Sequence, residues 1–518
     1  MRYKLIIWIT IVAAMAVAFV FCVKKQGFHY DENYSYYSTN VTYGLHPFDG
    51  EWKDVDEIKS EYMALRGDSL NLSGVKLSQT YDVHPPLYYY ILRIVCFLTP
   101  DTFSKWQGLA INLVFYLICL ILLWKIAEYF GGDDRYVTVF TLVLFALSPG
   151  YLSTVTFIRM YVMLTAECFG ILLLHMYVFK NPAKIRLLYV FGALIALAGF
   201  LTHYYSFIFV FFLTAYTCIY FFFVKRMRKE AIIYGASVVA ALGLAIAYYP
   251  AMLSHIFSGY RGNEATEAFM DISNTADRFN FFVQILNDYT FSGSFFVLAI
   301  LALLIYLFYG YGFKKGKYKG ITPDAGTVIC VLVTLSYFLV VCKTGMMPSN
   351  PPEALRYECP VYGLIILITV TVIVKLSAKV GAHRMIAVVI LAAACVTQTV
   401  GLMHDKVFFI YEDAKENRAW SEEHADDVIA YIYNPANEWM IWNDGPELMN
   451  YDKIYFLDMD HEGDVKDDIL NNADRIYVYT CRSDNSDDIM EEMIKADDKL
   501  TGFELVGERL FVDIYELR

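Results

Sequence analysis

The chain reads as a polytopic α-helical membrane protein of about eleven spans, carrying a small C-terminal α/β domain outside the bilayer. Three observations predict this. Apolar residues make up 57% of the 518 positions and mean hydropathy is +0.41, whereas a globular chain is about 45–50% apolar. The excess lies in long runs of Leu, Ile, Val, Phe and Tyr between residues 3 and 403, which reach the ~20 residues needed to cross a hydrocarbon core. Charge then changes sign along the chain: residues 404–518 hold 30 Asp/Glu against 11 Lys/Arg, a net −19, while the first 403 carry +7. The expected organisation is therefore a membrane module, 1–403, and an acidic soluble domain, 404–518.

The spans fall at 3–23, 106–124, 136–152, 159–179, 187–202, 204–224, 231–250, 294–312, 326–342, 358–374 and 385–403. The first run follows Arg2 and Lys4 but lacks a small-x-small cleavage site before Lys24-Lys25, so it reads as a retained helix. Connectors 125–135, 180–186, 225–229, 314–319 and 375–384 contain 16 Lys/Arg and all lie on the side of the N-terminus. The positive-inside rule makes that side cytoplasmic. Segments 24–105, 251–293, 343–357 and 404–518 then face outward. Pro85–Leu98 is apolar but has only 14 residues and Arg93 in its middle; at 1.5 Å per residue it covers ~21 Å of a ~30 Å core, so it reads as interfacial or re-entrant.

In the tail, Val428–Tyr433, Trp439–Trp442, Lys453–Leu457 and Arg475–Thr480 read as strands. Phe503–Leu517 reads as a hairpin around Gly507, and Asp487–Lys499 as a helix. A single cysteine there, Cys481, excludes a disulfide framework, and no Cys/His metal spacing occurs. Nothing in the charge pattern calls for nucleic acid as a partner.

The residues that need a chemical reason all map to the outer face. Asp31 and Glu32 follow the first span, where a partly desolvated carboxylate can act as a general base. Asp82 and His84 precede Pro85-Pro86, a helix start whose positive dipole end favours an anion. Arg159 and Tyr161 open a span, His203 and Tyr204 lie where two spans meet, and Arg356 precedes the tenth span. A lone charge at membrane depth can snorkel. Arg159, His203 and Arg356 together with Asp31, Glu32 and Asp82 on one face argue for a site.

At these residues the sequence resembles the GT-C superfamily of polyprenyl-phosphate-sugar-dependent glycosyltransferases, which includes protein O-mannosyltransferases and lipid A aminoarabinose transferases. The matching series is Asp31-Glu32, Asp82-Val-His84-Pro85-Pro86-Leu87-Tyr88, Ser148-Pro149, Arg159-Met-Tyr161, Thr202-His203-Tyr204 and Arg356-Tyr357. It covers roughly residues 1–375, and the acidic tail matches no family domain. The resemblance implies a GT-C-like fold, a lipid-phosphate-sugar donor, Asp31 as catalytic base, and an outer loop, 24–105, that closes over the site.

The residue chemistry is compatible with that activity. A phosphate leaves without protonation, so the enzyme must supply a base for the acceptor hydroxyl and cations for the departing phosphate. Arg159 and Arg356 suit the phosphate because a guanidinium pairs bidentately with its oxygens, and His84 and His203 can donate to the same oxygens. Asp82 either orients His84 or helps hold a divalent cation, the one cofactor left open. The acceptor, a glycan, lipid or protein, arrives from outside the cell. The alternative is a multi-span transporter or flippase, which would place coupling charges near mid-span and show repeated halves.

Overall fold

The computed structural model describes residues 2–40, 50–132, 134–314, 323–379, 384–459, 470, 473–482, 486–496 and 500–518. The chain divides into two compact units, one of residues 1–25, 79–88 and 108–410, the other of 26–78, 89–107 and 411–518. The division differs from a cut at 403/404, because most of the outer loop groups with the tail.

The first unit is a helical bundle, and the chain is a multi-pass membrane protein. Among the described residues, eight helices are long and apolar enough to cross a membrane: Tyr3–Lys24, Lys105–Gly131, Tyr161–Lys180, Tyr205–Val224, Arg228–Tyr248, Ala325–Thr344, Pro351–Ala378 and Arg384–Met403. Two bent pairs, Arg135–Ala146 with Pro149–Thr156 (55°) and Thr275–Thr290 with Phe295–Tyr311 (97°), raise the number to ten if each is one span. Leu188–Thr202, read as a span from sequence, is a shorter apolar helix, as is Leu87–Leu98. Fifteen residues rise only ~22 Å. The connectors at 315–322 and 380–383 lie outside the described residues.

Tyr161–Lys180 and Pro351–Ala378 are the central helices, each two-thirds buried, whereas Arg228–Tyr248 and Arg384–Met403 bury about a quarter of their length. The outer helices turn Val12, Phe211, Val239, Leu244 and Val396 outward, an apolar girdle that water would penalise and lipid accepts. The bend at Ser148-Pro149 has a local cause. Pro149 lacks the N–H that would continue the preceding helix, and Ser148 caps the new one through Tyr151 N.

The second unit is built on a six-stranded sheet: β1 (Glu51–Asp54), β2 (Val428–Tyr433), β3 (Lys453–Asp458), β4 (Ile476–Cys481), β5 (Phe503–Glu508) and β6 (Val512–Leu517). The order is β1-β3-β2-β4-β6-β5, with β3-β2-β4 parallel and the other pairs antiparallel. Both central strands are buried on both faces, as parallel strands require. Ala430, Ile432, Leu457 and Val478 pack under the Ser486–Ala496 helix through Ile489, Met490 and Met493.

Two expectations for this unit are corrected, and one strand is added. Trp439–Trp442 is not a strand: Pro435–Met440 is a 3-10 turn that runs into the Ile441–Leu448 helix. Pro435 sits in the first turn and the Asn434 side chain caps it through Ala436 N, which overrides a four-residue β pattern. Gly507 lies inside β5 at a bulge, and the hairpin turns at 509–511 instead. The added strand is β1, from the long segment after the first helix, which pairs with β3 and covers its edge, with Trp52 against Tyr455 at 5.2 Å. The predicted helix ends at Ala496, with 497–499 outside the described residues.

The face of the sheet opposite the Ser486–Ala496 helix carries a buried polar network. Tyr431 Oη donates to Asp444 at 2.7 Å, Arg509 Nε binds both Glu447 oxygens at 2.8 and 2.9 Å, and Tyr479 Oη donates to Glu447 at 3.3 Å. Burial, then the neighbouring Glu447, push the Asp444 carboxyl up to about 7, against the opposing pull of Tyr431 and Arg509. The folded state thus holds a proton that the unfolded chain releases near pH 4. This contribution is complete below pH 4, fades as pH rises and is gone above about 7, at up to ~1.4 kcal/mol per pH unit. Thermal unfolding of Asp444→Asn, followed by tryptophan fluorescence, should therefore lose less stability between pH 4.5 and 7.5 than the parent. Parallel losses would contradict the assignment.

Candidate active site

Sequence reading expects Arg159 to open a span. It lies instead in a four-residue break, 157–160, between the Pro149–Thr156 and Tyr161–Lys180 helices. Such a break strands carbonyl oxygens in apolar surroundings, and the buried Asn112 amide of the Lys105–Gly131 helix meets two of them. Its Nδ2 donates to Phe157 O at 2.6 Å and Val155 O at 3.0 Å. Gly108, one turn earlier on that helix, admits Ile158: a Cβ there would meet the isoleucine Cγ2 at 2.0 Å. Phe157 stacks on Phe409 at 4.1 Å, and Phe409 itself adopts a left-handed backbone (φ 66°) that a bulky residue rarely takes.

Arg159, held by this break, is 2% exposed. Its Nη2 lies 3.2 and 3.3 Å from the two ring nitrogens of His84. The Asp82 carboxylate is 2.9 Å from His84 Nδ1, so Nδ1 carries a proton and donates it to that carboxylate. Of the two roles open for Asp82, orienting His84 is the one the geometry displays. Burial raises the Asp82 pKa, but the charge and hydrogen bond of His84, with Arg159 behind them, outweigh it and hold the carboxyl below its ordinary value.

His203 stands 5.6 Å from His84 and 5.3 Å from Tyr161, ring centre to ring centre. Its Nδ1 accepts from Tyr205 N at 3.0 Å. Burial, with His84, Arg159 and Arg356 adding positive charge, holds His203 well below its usual pKa. The ring is therefore neutral with its proton on Nε2, a donor without a charge. Arg356 lies in the first turn of the Leu355–Lys379 helix, its guanidinium 5.7 Å from the Phe157 ring centre and 5.2 Å from that of Tyr357. Pro360 leaves Arg356 O without its helical donor, and the Cys359 thiol supplies one at 3.2 Å.

Asp82, His84, Arg159, Tyr161, His203 and Arg356 thus converge within the first unit. Tyr204 does not join them. Its hydroxyl lies 2.7 Å from His255 Nδ1, and His255 Nε2 reaches Thr80 O at 3.2 Å. Because Nε2 must donate to a carbonyl, Nδ1 accepts and Tyr204 donates. Tyr204 and His255 hold the segment leading to Asp82, and Tyr249 Oη donates to His84 O at 3.4 Å.

Asp31 and Glu32 belong to the second unit, in the first turn of the Tyr30–Asn40 helix. Glu32 accepts from His29 N at 2.6 Å and the His29 ring from Asp31 N at 3.1 Å, a capping box with histidine as the cap. Glu32 is fully buried in that task, while the Asp31 side chain keeps 24% of its surface. Of the adjacent acids, Asp31 is the one that solvent can reach.

Sequence reading missed Asn112, Tyr249 and His255, and two acids inside drawn spans. Glu167 accepts from Thr202 Oγ1 at 2.9 Å, directly before His203, and the buried Glu358 faces the Cys342 thiol at 3.8 Å. An amide or acid within an apolar run was the available signal. Among the described residues, no three His, Cys, Asp or Glu groups are arranged to hold a metal ion.

No family model and no curated protein matches the sequence. Among solved structures, ArnT from Cupriavidus metallidurans matches in its apo state and bound to undecaprenyl phosphate. Each has TM-score 0.52 and 10% identity, over 98% of this chain and 97% of that one. The oligosaccharyltransferase of Archaeoglobus fulgidus matches with TM-score 0.47 and 10% identity, over 98% of this chain and 72% of that one. The chain has a GT-C-like fold.

The break itself can be tested. Asn112→Leu keeps the bulk but orphans the carbonyl of Val155, at about 1–3 kcal/mol, while Phe157 O keeps the Arg159 N–H at 2.8 Å. The unfolding midpoint in detergent micelles should fall by several degrees, and an unchanged midpoint would show that the amide does not support the break.

Proposed function

We propose that this chain is a membrane glycosyltransferase that moves a sugar from a polyprenyl-phosphate donor to an acceptor hydroxyl at the outer face of the membrane. The observation that carries the reading is the convergence of two buried guanidiniums, Arg159 and Arg356, on the imidazoles of His84 and His203. Buried cations grouped with oriented donors suit a phosphate that gains charge as it leaves. The GT-C-like fold supports the reading, and one structure of similar fold, ArnT, binds undecaprenyl phosphate.

In the proposed step the acceptor oxygen forms a bond to the anomeric carbon while the bond from that carbon to the phosphate oxygen breaks. The electron pair leaves with the phosphate, towards Arg159, Arg356 and the Nε2–H of His203. The acceptor proton passes to Asp31. Asp82 holds His84 in register beside Arg159. Asp31 belongs to the second unit, and Arg159, Arg356, His84 and His203 to the first.

Two experiments test this. Purified variants are assayed for release of undecaprenyl phosphate from a panel of undecaprenyl-phosphate-linked hexoses and pentoses. Asp31→Asn should lose 10²–10⁴-fold in turnover, the usual cost of a general base. Arg159→Lys keeps the charge but loses the fork, so affinity for undecaprenyl phosphate should fall together with turnover. Near-normal turnover in Asp31→Asn would move the base elsewhere. For orientation, cysteine accessibility should place residues 60, 270 and 450 outside and 315 and 380 inside. Residue 450 in the cytoplasm would overturn the outer-face assignment.

A further inference from the structure

Within the second unit the acidic tail grips the helix that carries Asp31. On the Tyr30–Asn40 helix, positions 30, 33, 34 and 37 fall on one stripe at 3.6 residues per turn, and position 31 lies about 100° round the axis. The tail occupies that stripe. Asn33 Nδ2 donates to Asn443 O at 2.9 Å, and Tyr37 stacks on Trp442 at 4.1 Å with planes 20° apart. Tyr34 lies 5.5 Å from the same indole, and Tyr30 lies 6.2 Å from Phe511.

A second strut closes the arrangement. Tyr62 Oη donates to Trp442 O at 2.9 Å, and Asn40 Nδ2 donates to Tyr62 O at 2.9 Å. The Tyr62 ring passes so close to Gly445 that a Cβ there would meet its Cζ at 2.2 Å. The Ile441–Leu448 helix is itself tied to the sheet through Asp444–Tyr431 and Glu447–Arg509. A chain of contacts therefore runs from the rigid sheet through Trp442, Asn443 and Gly445 to the stripe beside Asp31.

We propose that the C-terminal domain is a positioning device for the base helix, with Trp442 and Gly445 as positioning residues that set where Asp31 stands. The proposal rests on the reading of Asp31 as the base. An aspartate has to meet the acceptor proton at hydrogen-bond range, so a displacement of about 1 Å costs ~10²-fold without any change in donor contacts. The tail then affects the rate of transfer rather than binding of the donor.

The test uses the full chain. Trp442→Ala and Gly445→Ala are compared with Trp442→Phe and Asp31→Asn for turnover on undecaprenyl-phosphate-linked sugars, affinity for undecaprenyl phosphate, and hydrogen exchange of amides 30–40. Trp442→Ala and Gly445→Ala should lose at least 10-fold in turnover, keep the affinity within threefold, and exchange faster across 30–40. Trp442→Phe should restore most of the turnover, and Asp31→Asn should leave exchange unchanged. A variant that merely folds badly would lose bound undecaprenyl phosphate in step with turnover. If Trp442→Ala does not yield folded protein, Trp442→Leu replaces it. Parent-like exchange and turnover in both tail variants, with Asp31→Asn inactive, would overturn the proposal alone. Full turnover in Asp31→Asn would overturn the base assignment and the proposal with it.

Discussion

Backbone that leaves the helical ladder in apolar surroundings exposes carbonyl oxygens that water cannot reach. Each must find a donor or remain a cost of about 1–3 kcal/mol. The candidate site is organised around two such places. At 157–160 the Asn112 amide meets the carbonyls of Val155 and Phe157, and the break it permits carries Arg159. At the start of the Leu355–Lys379 helix, Pro360 removes a donor and the Cys359 thiol replaces it, directly beneath Arg356. Both arginines thus stand where a helix has been interrupted or has just begun, and in each case a neighbouring polar side chain makes the irregularity tolerable.

The two imidazoles of the site are prepared in opposite senses. Asp82 accepts the Nδ1 proton of His84 in a hydrogen bond, while the Tyr205 amide occupies His203 Nδ1 and puts the proton on Nε2. One ring is thereby tied to a carboxylate that offsets positive charge, and the other is a neutral donor. Tyr204, His255 and Tyr249 hold the segment carrying Asp82 and His84 from behind.

In the second unit most of the long segment after the first helix folds together with the tail. β1 closes the β3 edge, and the Tyr30–Asn40 helix packs against the Ile441–Leu448 helix through Asn33 and Tyr37. A long loop and an acidic domain are separate by composition but not by folding. The loop gains a hydrophobic partner for its tyrosines, and the sheet loses an exposed edge that would otherwise invite pairing with another chain.

Local patterns were enough to locate most elements. Runs of apolar residues long enough to span a bilayer, and β-branched or aromatic runs in the tail, register in the sequence because they need only neighbours along the chain. The same holds for Asp82, His84, Arg159, His203 and Arg356, since a charged or polar residue beside an apolar run stands out in one dimension. The sequence by itself therefore determined the membrane class, the acidic α/β tail and most members of the cation cluster. Only the tertiary structure decided that Arg159 sits in a break held by Asn112, that Tyr204 serves His255, and that Glu32 caps a helix while Asp31 stays accessible. It also decided that Glu51–Asp54 completes the tail's sheet. Each of these depends on a hydrogen bond or packing contact between residues far apart in the chain, which no spacing along the sequence encodes.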